Sequence, residues 1–193
     1  MSASDVRNDL PDTSNWSRFA QMAMAAGLVV TVIGLVYPDT RVHALRAWLV
    51  AFTFYVGLSL GSLAIVMIQY LTGGKWGFLL RRPLEAAMRT LPMATLFYLP
   101  IAFGLPYLYE WADSHLVAES ANLQAKALYL NPTFALVRAA IYFGAWNLLV
   151  YLFTSWSGEQ DHKKDPNLNR RCEGFSGPGL VLHVLLITFA SID

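Results

Sequence analysis

Several segments of this chain run without any formal charge for long enough to cross a lipid bilayer. Residues 47–74 hold 28 such positions, residues 90–109 hold 20 and residues 139–158 hold 20. A helix spans the hydrocarbon core with about 20 mainly apolar residues, since each residue advances it by about 1.5 Å. Lipid offers the backbone no water to bond, so such a run must close its hydrogen bonds within itself, as a helix does. Only 14% of the residues are charged and 55% are hydrophobic, against about 25% charged in a soluble domain. The expected fold class is all-α: a polytopic transmembrane helical bundle with four full helices and a truncated fifth.

The boundaries follow from breakers and caps. Residues 1–17 read as a polar N-terminal tail, and residues 18–193 as a multi-pass domain that is incomplete at its C-terminus. No basic start, apolar core and small-residue cleavage site precede the first apolar run, so it reads as a retained helix. That helix runs from Phe19 to Tyr37 and is stopped by Pro38-Asp39. A short loop from Thr40 to Arg46 leads to a second helix, Trp48 to Leu71, which Gly73-Gly74 breaks. After a basic segment, Lys75 to Arg89, a third helix covers Leu91 to Tyr109. Its Pro92, Pro100 and Pro106 are expected to kink it rather than break it, as membrane helices allow.

The polar stretch Glu110 to Asn131 has a middle, Leu116 to Leu130, of helical composition suited to the interface. Pro132 fits the first turn of a fourth helix that ends near Phe153. A hydrophilic loop is expected from Ser155 to Ser176. The fifth apolar run, Gly177 to Ile192, has roughly 15 residues and falls short of a comfortable crossing. It reads either as a tilted or interfacial helix or, preferably, as one that continues beyond Asp193, the chain being an N-terminal fragment.

Basic loops set the orientation. With the N-terminus inside, the inner segments carry ten basic residues: Arg7, Arg18, Lys75, Arg81, Arg82, Arg89, Lys163, Lys164, Arg170 and Arg171. The outer segments carry four: Arg41, Arg46, Lys126 and Arg138. A cytoplasmic N-terminus is expected. A net charge of +1 gives no sign of nucleic-acid binding. The single cysteine, Cys172, excludes an intrachain disulfide, a CxxC pair and a CxxCH haem attachment. Thr72-Gly73-Gly74-Lys75 lacks the length of a phosphate-binding loop.

Small residues let membrane helices approach closely. Gly57 and Gly61, with Ala64 on nearly the same face, are candidates for a packing seam, specific or ordinary. Trp48, Trp111 and Trp156 fall near helix ends, where amphipathic rings favour the interface. Ionisable groups at bilayer depth are costly and point to function. His183 lies inside the fifth helix and Asp193 ends it. Helical geometry separates them by about 15 Å and 80°, so they can share a proton path only through other groups. His183 reads equally as a histidine bonded to a neighbouring helix, and Asp193 as a surface group. Arg81, Glu85 and Arg89 are four apart, so a helix lets Glu85 pair with both arginines. Together with Arg82 they form an inner-face motif, either structural or serving proton uptake or anion contact. Gln69, Ser62, Asn147 and Arg138 read as interhelical hydrogen-bonding groups, Arg138 being able to snorkel outward. The remaining histidines, His43, His115 and His162, fall in expected loops, so no bis-histidine haem site and no metal site is expected.

One set of motifs resembles a known family. Leu71-Thr72-Gly73-Gly74-Lys75-Trp76-Gly77, Arg81-Arg82-Pro83-Leu84-Glu85-Ala86-Ala87 and Thr90-Leu91-Pro92 are similar to a family of integral membrane subunits of alternative complex III. Its members share the general architecture of the quinol-binding subunit of the same complex. Tyr129-Leu130-Asn131-Pro132, Ser176-Gly177-Pro178-Gly179-Leu180 and Thr188-Phe189-Ala190-Ser191-Ile192-Asp193 continue the resemblance in order. That complex is a bacterial quinol:cytochrome c, or other electron acceptor, oxidoreductase of the respiratory chain. The resemblance implies a longer chain with further helices, arranged in four-helix bundles in the bacterial inner membrane. It implies no redox cofactor on this chain, with quinol, haem c and iron–sulfur clusters held by partner subunits. It further implies scaffolding and proton conduction as the chain's share of electron transport. Some members carry histidines where this chain has Gln69 and Tyr70, so a proton-carrying role does not transfer to those positions, and no quinone ligand transfers residue by residue. The rival expectations are a stand-alone transporter or channel and a quinone-binding membrane enzyme subunit.

Overall fold

The computed structural model describes residues 14–73, 76–162 and 166–192. They form nine α-helices and a single 3₁₀ turn, and no strand occurs among the described residues. In chain order the helices are α1 (Ser14–Val36), α2 (Pro38–Thr72), α3 (Trp76–Met88), α4 (Leu91–Phe97) and α5 (Leu99–Leu108). The turn Glu110–Ala112 then leads to α6 (Ser114–Glu119), α7 (Ala121–Lys126), α8 (Pro132–His162) and α9 (Pro166–Ile192). Among the described residues four helices are long and apolar enough to cross a membrane: α1, α2, α8 and α9. Residues Leu79–Phe97 and Leu99–Leu108 form a pair bent by 52°, which makes a fifth crossing if taken as one broken span.

The chain divides into two compact units, residues 1–44 and 45–193. In the first, α1 turns at Tyr37 into the start of α2. The bonds that close that turn include Tyr37 N–H to Ile33 O, the Thr40 and Arg41 N–H groups to Tyr37 O, and Thr40 Oγ1 and Arg41 Nε to Gly34 O and Leu35 O at 3.1 and 2.9 Å. A Cβ on Gly34 would stand 2.8 Å from the Ala44 Cβ, so this corner needs glycine. No residue in the apolar window of α1 is buried, which suits contact with lipid tails.

The second unit is built around α2, with α3, α4, α8 and α9 contributing to one core. Leu63, Val66 and Met67 of α2 are buried with Met88, Leu91, Phe153 and Cys172. Lipid tails are as apolar as these side chains, so close packing rather than hydrophobicity must hold the helices together. Gly179 provides that closeness on α9: its Cβ position lies 3.1 Å from Met67 Sδ and 3.5 Å from Leu149 Cδ2. Gly104 does the same against Leu45, and Gly77 against Gln69. Gly57 and Gly61, expected to mark an inter-helix or inter-subunit seam, pack against no other helix among the described residues. Both are exposed, and a Cβ at either would meet nothing within 4 Å. Spacing alone cannot say which face of a helix meets a neighbour.

Several boundaries differ from expectation for identifiable reasons. Pro38 stops α1 but opens α2 as its first residue, because a proline has no N–H to lose there. Residues 40–46 are therefore helical rather than a loop. At the other end α2 closes on Gly73, whose φ of +64° is a left-handed cap that glycine adopts without strain. The third expected helix is broken at Tyr98 rather than gently kinked. Pro100 removes one ladder donor, and Trp48 Nε1 donates to the exposed Phe97 carbonyl at 2.9 Å. The interfacial stretch is two single-turn helices separated at Ser120 rather than one helix. Most of the expected loop 155–176 is also helical, because α8 continues to His162 and α9 begins at Pro166. That early start gives the last helix 27 residues, enough for a full crossing. The helix α1 likewise begins at Ser14, inside the stretch read as tail, and the tail's residues 1–13 lie outside the described residues.

Candidate functional site

The densest polar constellation joins α3 to the ends of α8 and α9. On α3, Arg81 and Glu85 are one turn apart, and Arg81 Nε donates to Glu85 Oε1 at 2.8 Å. Arg82, one residue on, donates from Nη1 to the second carboxylate oxygen at 3.0 Å. Across the helix interface Ser157 Oγ donates to Glu85 Oε1, while Arg81 Nη2 donates to Ser157 Oγ at 2.5 Å and Gln160 Oε1 at 2.6 Å. Gln160 in turn donates to Asn169 Oδ1 of α9 at 3.4 Å, and Asn169 bonds Glu173. The Arg81 guanidinium lies 5.5 Å from the centre of the Tyr70 ring of α2. The Glu85 side chain is 3% exposed. A carboxylate this deep is tolerable only when paired and hydrogen-bonded, and here both oxygens are taken. The cluster therefore ties three helix ends together and presents no open carboxylate position.

Arg89 takes no part in this ion pairing, contrary to the expected Arg81–Glu85–Arg89 ladder. Its backbone N–H still donates to Glu85 O at 3.1 Å, one helical turn back, but the two carboxylate oxygens of Glu85 are engaged by Arg81, Arg82 and Ser157. Among the described residues Glu85 pairs with Arg81 and Arg82 instead.

His183 is 2% exposed in the middle of α9, and its Nδ1 has no hydrogen-bond partner. Its ring centre lies 6.3 Å from that of Trp146 on α8, whose Nε1 is also buried without a partner. Between this level and the Glu85 cluster lies an apolar layer. Met67, Leu149 and Phe153 meet there around the Gly179 backbone. From Trp146 to Ser157 along α8 is about 16 Å at 1.5 Å per residue. The described side chains thus bring His183 into no polar chain with Glu85. Asp193, its expected companion, lies outside the described residues.

Beside this layer, α2, α5, α8 and α9 enclose a cavity of about 320 Å³. Phe52, Gly57, Tyr98, Tyr142, Trp146 and Ile187 form much of its wall, and no charged side chain among the described residues lines it. Tyr109, just past the end of α5, closes part of the wall. Burial pushes its phenol above the ordinary range, so it stays neutral. On the far side of α8 a second pocket of about 430 Å³ runs along the break at Tyr98. There Asn147 Nδ2 donates to Thr95 Oγ1 at 2.9 Å and to Phe143 O at 2.7 Å, which makes Asn147 the interhelical group its position suggested. Arg138 is buried rather than snorkelled: it donates to Tyr129 O at 2.9 Å and lies 4.0 Å from the Tyr129 ring centre.

Ser157, Gln160 and Trp146 are not legible as site residues in the sequence. Ser157 and Gln160 lie in a stretch that reads as a loop, although they continue the Phe153 stripe at helical spacing. No protein-family model matches the sequence, and no curated protein sequence matches it at a significant level.

Proposed function

We propose that the chain is a non-redox integral membrane subunit of a respiratory quinol:electron-acceptor oxidoreductase of the alternative complex III type. Its role in that reading is to scaffold the membrane arm in a bacterial inner membrane, with its N-terminus in the cytoplasm. The reading rests on the ordered series of motifs that resembles one family of that complex's membrane subunits, and on where those motifs fall in the fold. The Leu71–Gly77 motif carries the positive-φ cap Gly73 and the tight contact of Gly77 on Gln69. The Arg81–Ala87 motif supplies the buried Glu85 cluster, and Ser176–Leu180 supplies the close approach of Gly179 to Met67. A motif that makes such junctions has a physical reason to be kept as a unit. The orientation is favoured by the same cluster, since Arg81 reaches Gln160 and so joins two of the basic segments at one end of the bundle.

Proton conduction through this chain alone would have to cross the Met67–Leu149–Phe153 layer, so scaffolding is the stronger part of the reading. Purification in mild detergent tests it. The expected result is co-purification with multihaem cytochrome and iron–sulfur subunits, and a lone particle that takes up a solute would refute it. In the assembled complex, His183→Leu tests the proton role, and unchanged proton movement would remove His183 from any path.

A further inference from the structure

One outer face of α3 and α4 carries charge and apolar surface in a fixed order. Residues Leu79–Phe97 form a single arm of the bent span, and the bond from Arg89 N–H to Glu85 O keeps the helical turn past the end of α3. Arg82, Ala86, Arg89, Met93 and Leu96 follow one another at alternating steps of four and three, so they share one face of that arm. All five are exposed. Glu85 and Met88, on the flank turned toward the bundle, are buried.

The depth of this face is set by its neighbours. Thr90 Oγ1 lies 2.7 Å from Ser59 Oγ, and Ser59 sits near the middle of the charge-free run 47–74 of α2. Arg89 therefore stands at bilayer depth on an exposed face, where a cation is costly unless an anion meets it. Glu85 does not supply that anion, since Arg81, Arg82 and Ser157 take its oxygens. The geometry also draws two cations toward one turn. The 3.0 Å bond to Glu85 Oε2 pulls Arg82 forward along the helix, and the tilt of helical Cα–Cβ bonds carries Arg89 back toward the same level. Three arginines against one glutamate between residues 81 and 89 leave positive charge in excess. One to two turns deeper, Met93 and Leu96 are both more than half exposed and offer only apolar contact.

We propose that this face binds an anionic phospholipid, its phosphate bridging Arg82 and Arg89 and an acyl chain lying along Met93 and Leu96. The planar fork of arginine suits a phosphate, and a phospholipid joins phosphate to hydrocarbon in the order this face presents them. An acidic protein segment would answer the charge but not the apolar half of the stripe. The test reconstitutes the protein, in the assembly in which it is extracted, into nanodiscs of phosphatidylethanolamine with a minor share of phosphatidylglycerol. After washing in mild detergent, retained lipids are extracted and quantified by mass spectrometry. The expected result is phosphatidylglycerol enriched over its share in the nanodisc. Arg89→Gln, outside the Glu85 ion pairs, should lower that enrichment about ten-fold, the worth of one charged hydrogen bond, with circular dichroism unchanged. Arg89→Lys keeps the charge without the fork and should restore part of it. Arg46→Gln removes an exposed charge at the opposite end of α2 and should leave the enrichment intact. No enrichment in the parent protein, enrichment unaffected by Arg89→Gln, or an equal loss in Arg46→Gln overturns the proposal. So does a partner subunit lost from the Arg89→Gln assembly while enrichment persists, which would assign the face to an acidic protein segment.

Discussion

Replacing Arg81 by methionine is the sharpest perturbation of the polar cluster. It removes the 2.8 Å bond to Glu85 and the bonds to Ser157 and Gln160. The Glu85 carboxylate, 3% exposed, is then left with the Ser157 hydroxyl and with Arg82. Arg82 is 54% exposed, so water screens most of what it offers. Breaking a buried ion pair from one side costs about 3–5 kcal/mol, and the surviving Arg82 contact lowers the expectation to about 2–4 kcal/mol. Glu85→Leu is milder. It removes the bonds from Arg81, Arg82 and Ser157, but Arg81 is 21% exposed and keeps two neutral acceptors, Arg82 is 54% exposed and turns to water, and Ser157 keeps its bond to Arg81, so the expected loss is about 1.5–3 kcal/mol. In the double variant the stranded carboxylate no longer exists, and the combined cost should fall below the sum by about 2 kcal/mol. Reversible unfolding in mixed micelles, followed by far-ultraviolet circular dichroism, measures all three. A double variant equal to the sum within about 0.5 kcal/mol would refute the picture of a coupled buried pair, and so would an Arg89→Ala variant as costly as Arg81→Met.

Three other variants probe the geometry with the same unfolding assay. Gly77→Ala drives a Cβ into Gln69 Cγ and should cost about 1–3 kcal/mol, with most of it restored by adding Gln69→Ala; absence of rescue would show that the contact is not the cause. Trp48→Phe removes the donor to the Phe97 carbonyl at the helix break and should cost about 0.5–1.5 kcal/mol, while a loss outside that range in either direction would mean that the break is held by something else. Asn147→Leu loses the bond to Thr95 but should cost only about 0.6 kcal/mol, as interhelical bonds in membranes usually do; a loss of several kcal/mol would mark Asn147 as more than a helix-packing group.

The crossing helices were legible because lipid imposes one rule on every residue of a segment. Twenty consecutive positions without charge cannot be satisfied by chance packing, so residues 47–74 and 139–158 announced α2 and α8 directly. Where water competes for the backbone, that rule lapses. Residues 155–162 are polar and read as a loop, yet they continue α8, because Ser157 and Gln160 find partners on α3 that only tertiary structure supplies. The proline-rich third segment differs for the complementary reason. Sequence shows that Pro100 takes the helical donor from Leu96 O, but where the helix breaks also depends on what serves the neighbouring carbonyls, and Trp48, which serves Phe97 O, lies 49 residues away.

The same distinction separates the two halves of the candidate site. Glu85 with Arg81 is a local pattern, and helical spacing found it. Its third partner and its burial are set by what α8 brings, and Arg82 and Ser157 take the carboxylate that spacing alone would also offer to Arg89. At Gly57 the gap between pattern and packing is widest. Four-residue spacing to Gly61 describes a smooth face but not what fills it, and the same absence of a side chain serves a neighbouring helix or an open cavity equally well. The structure puts Gly57 on the wall of a cavity between helices, where a Cβ would meet nothing within 4 Å.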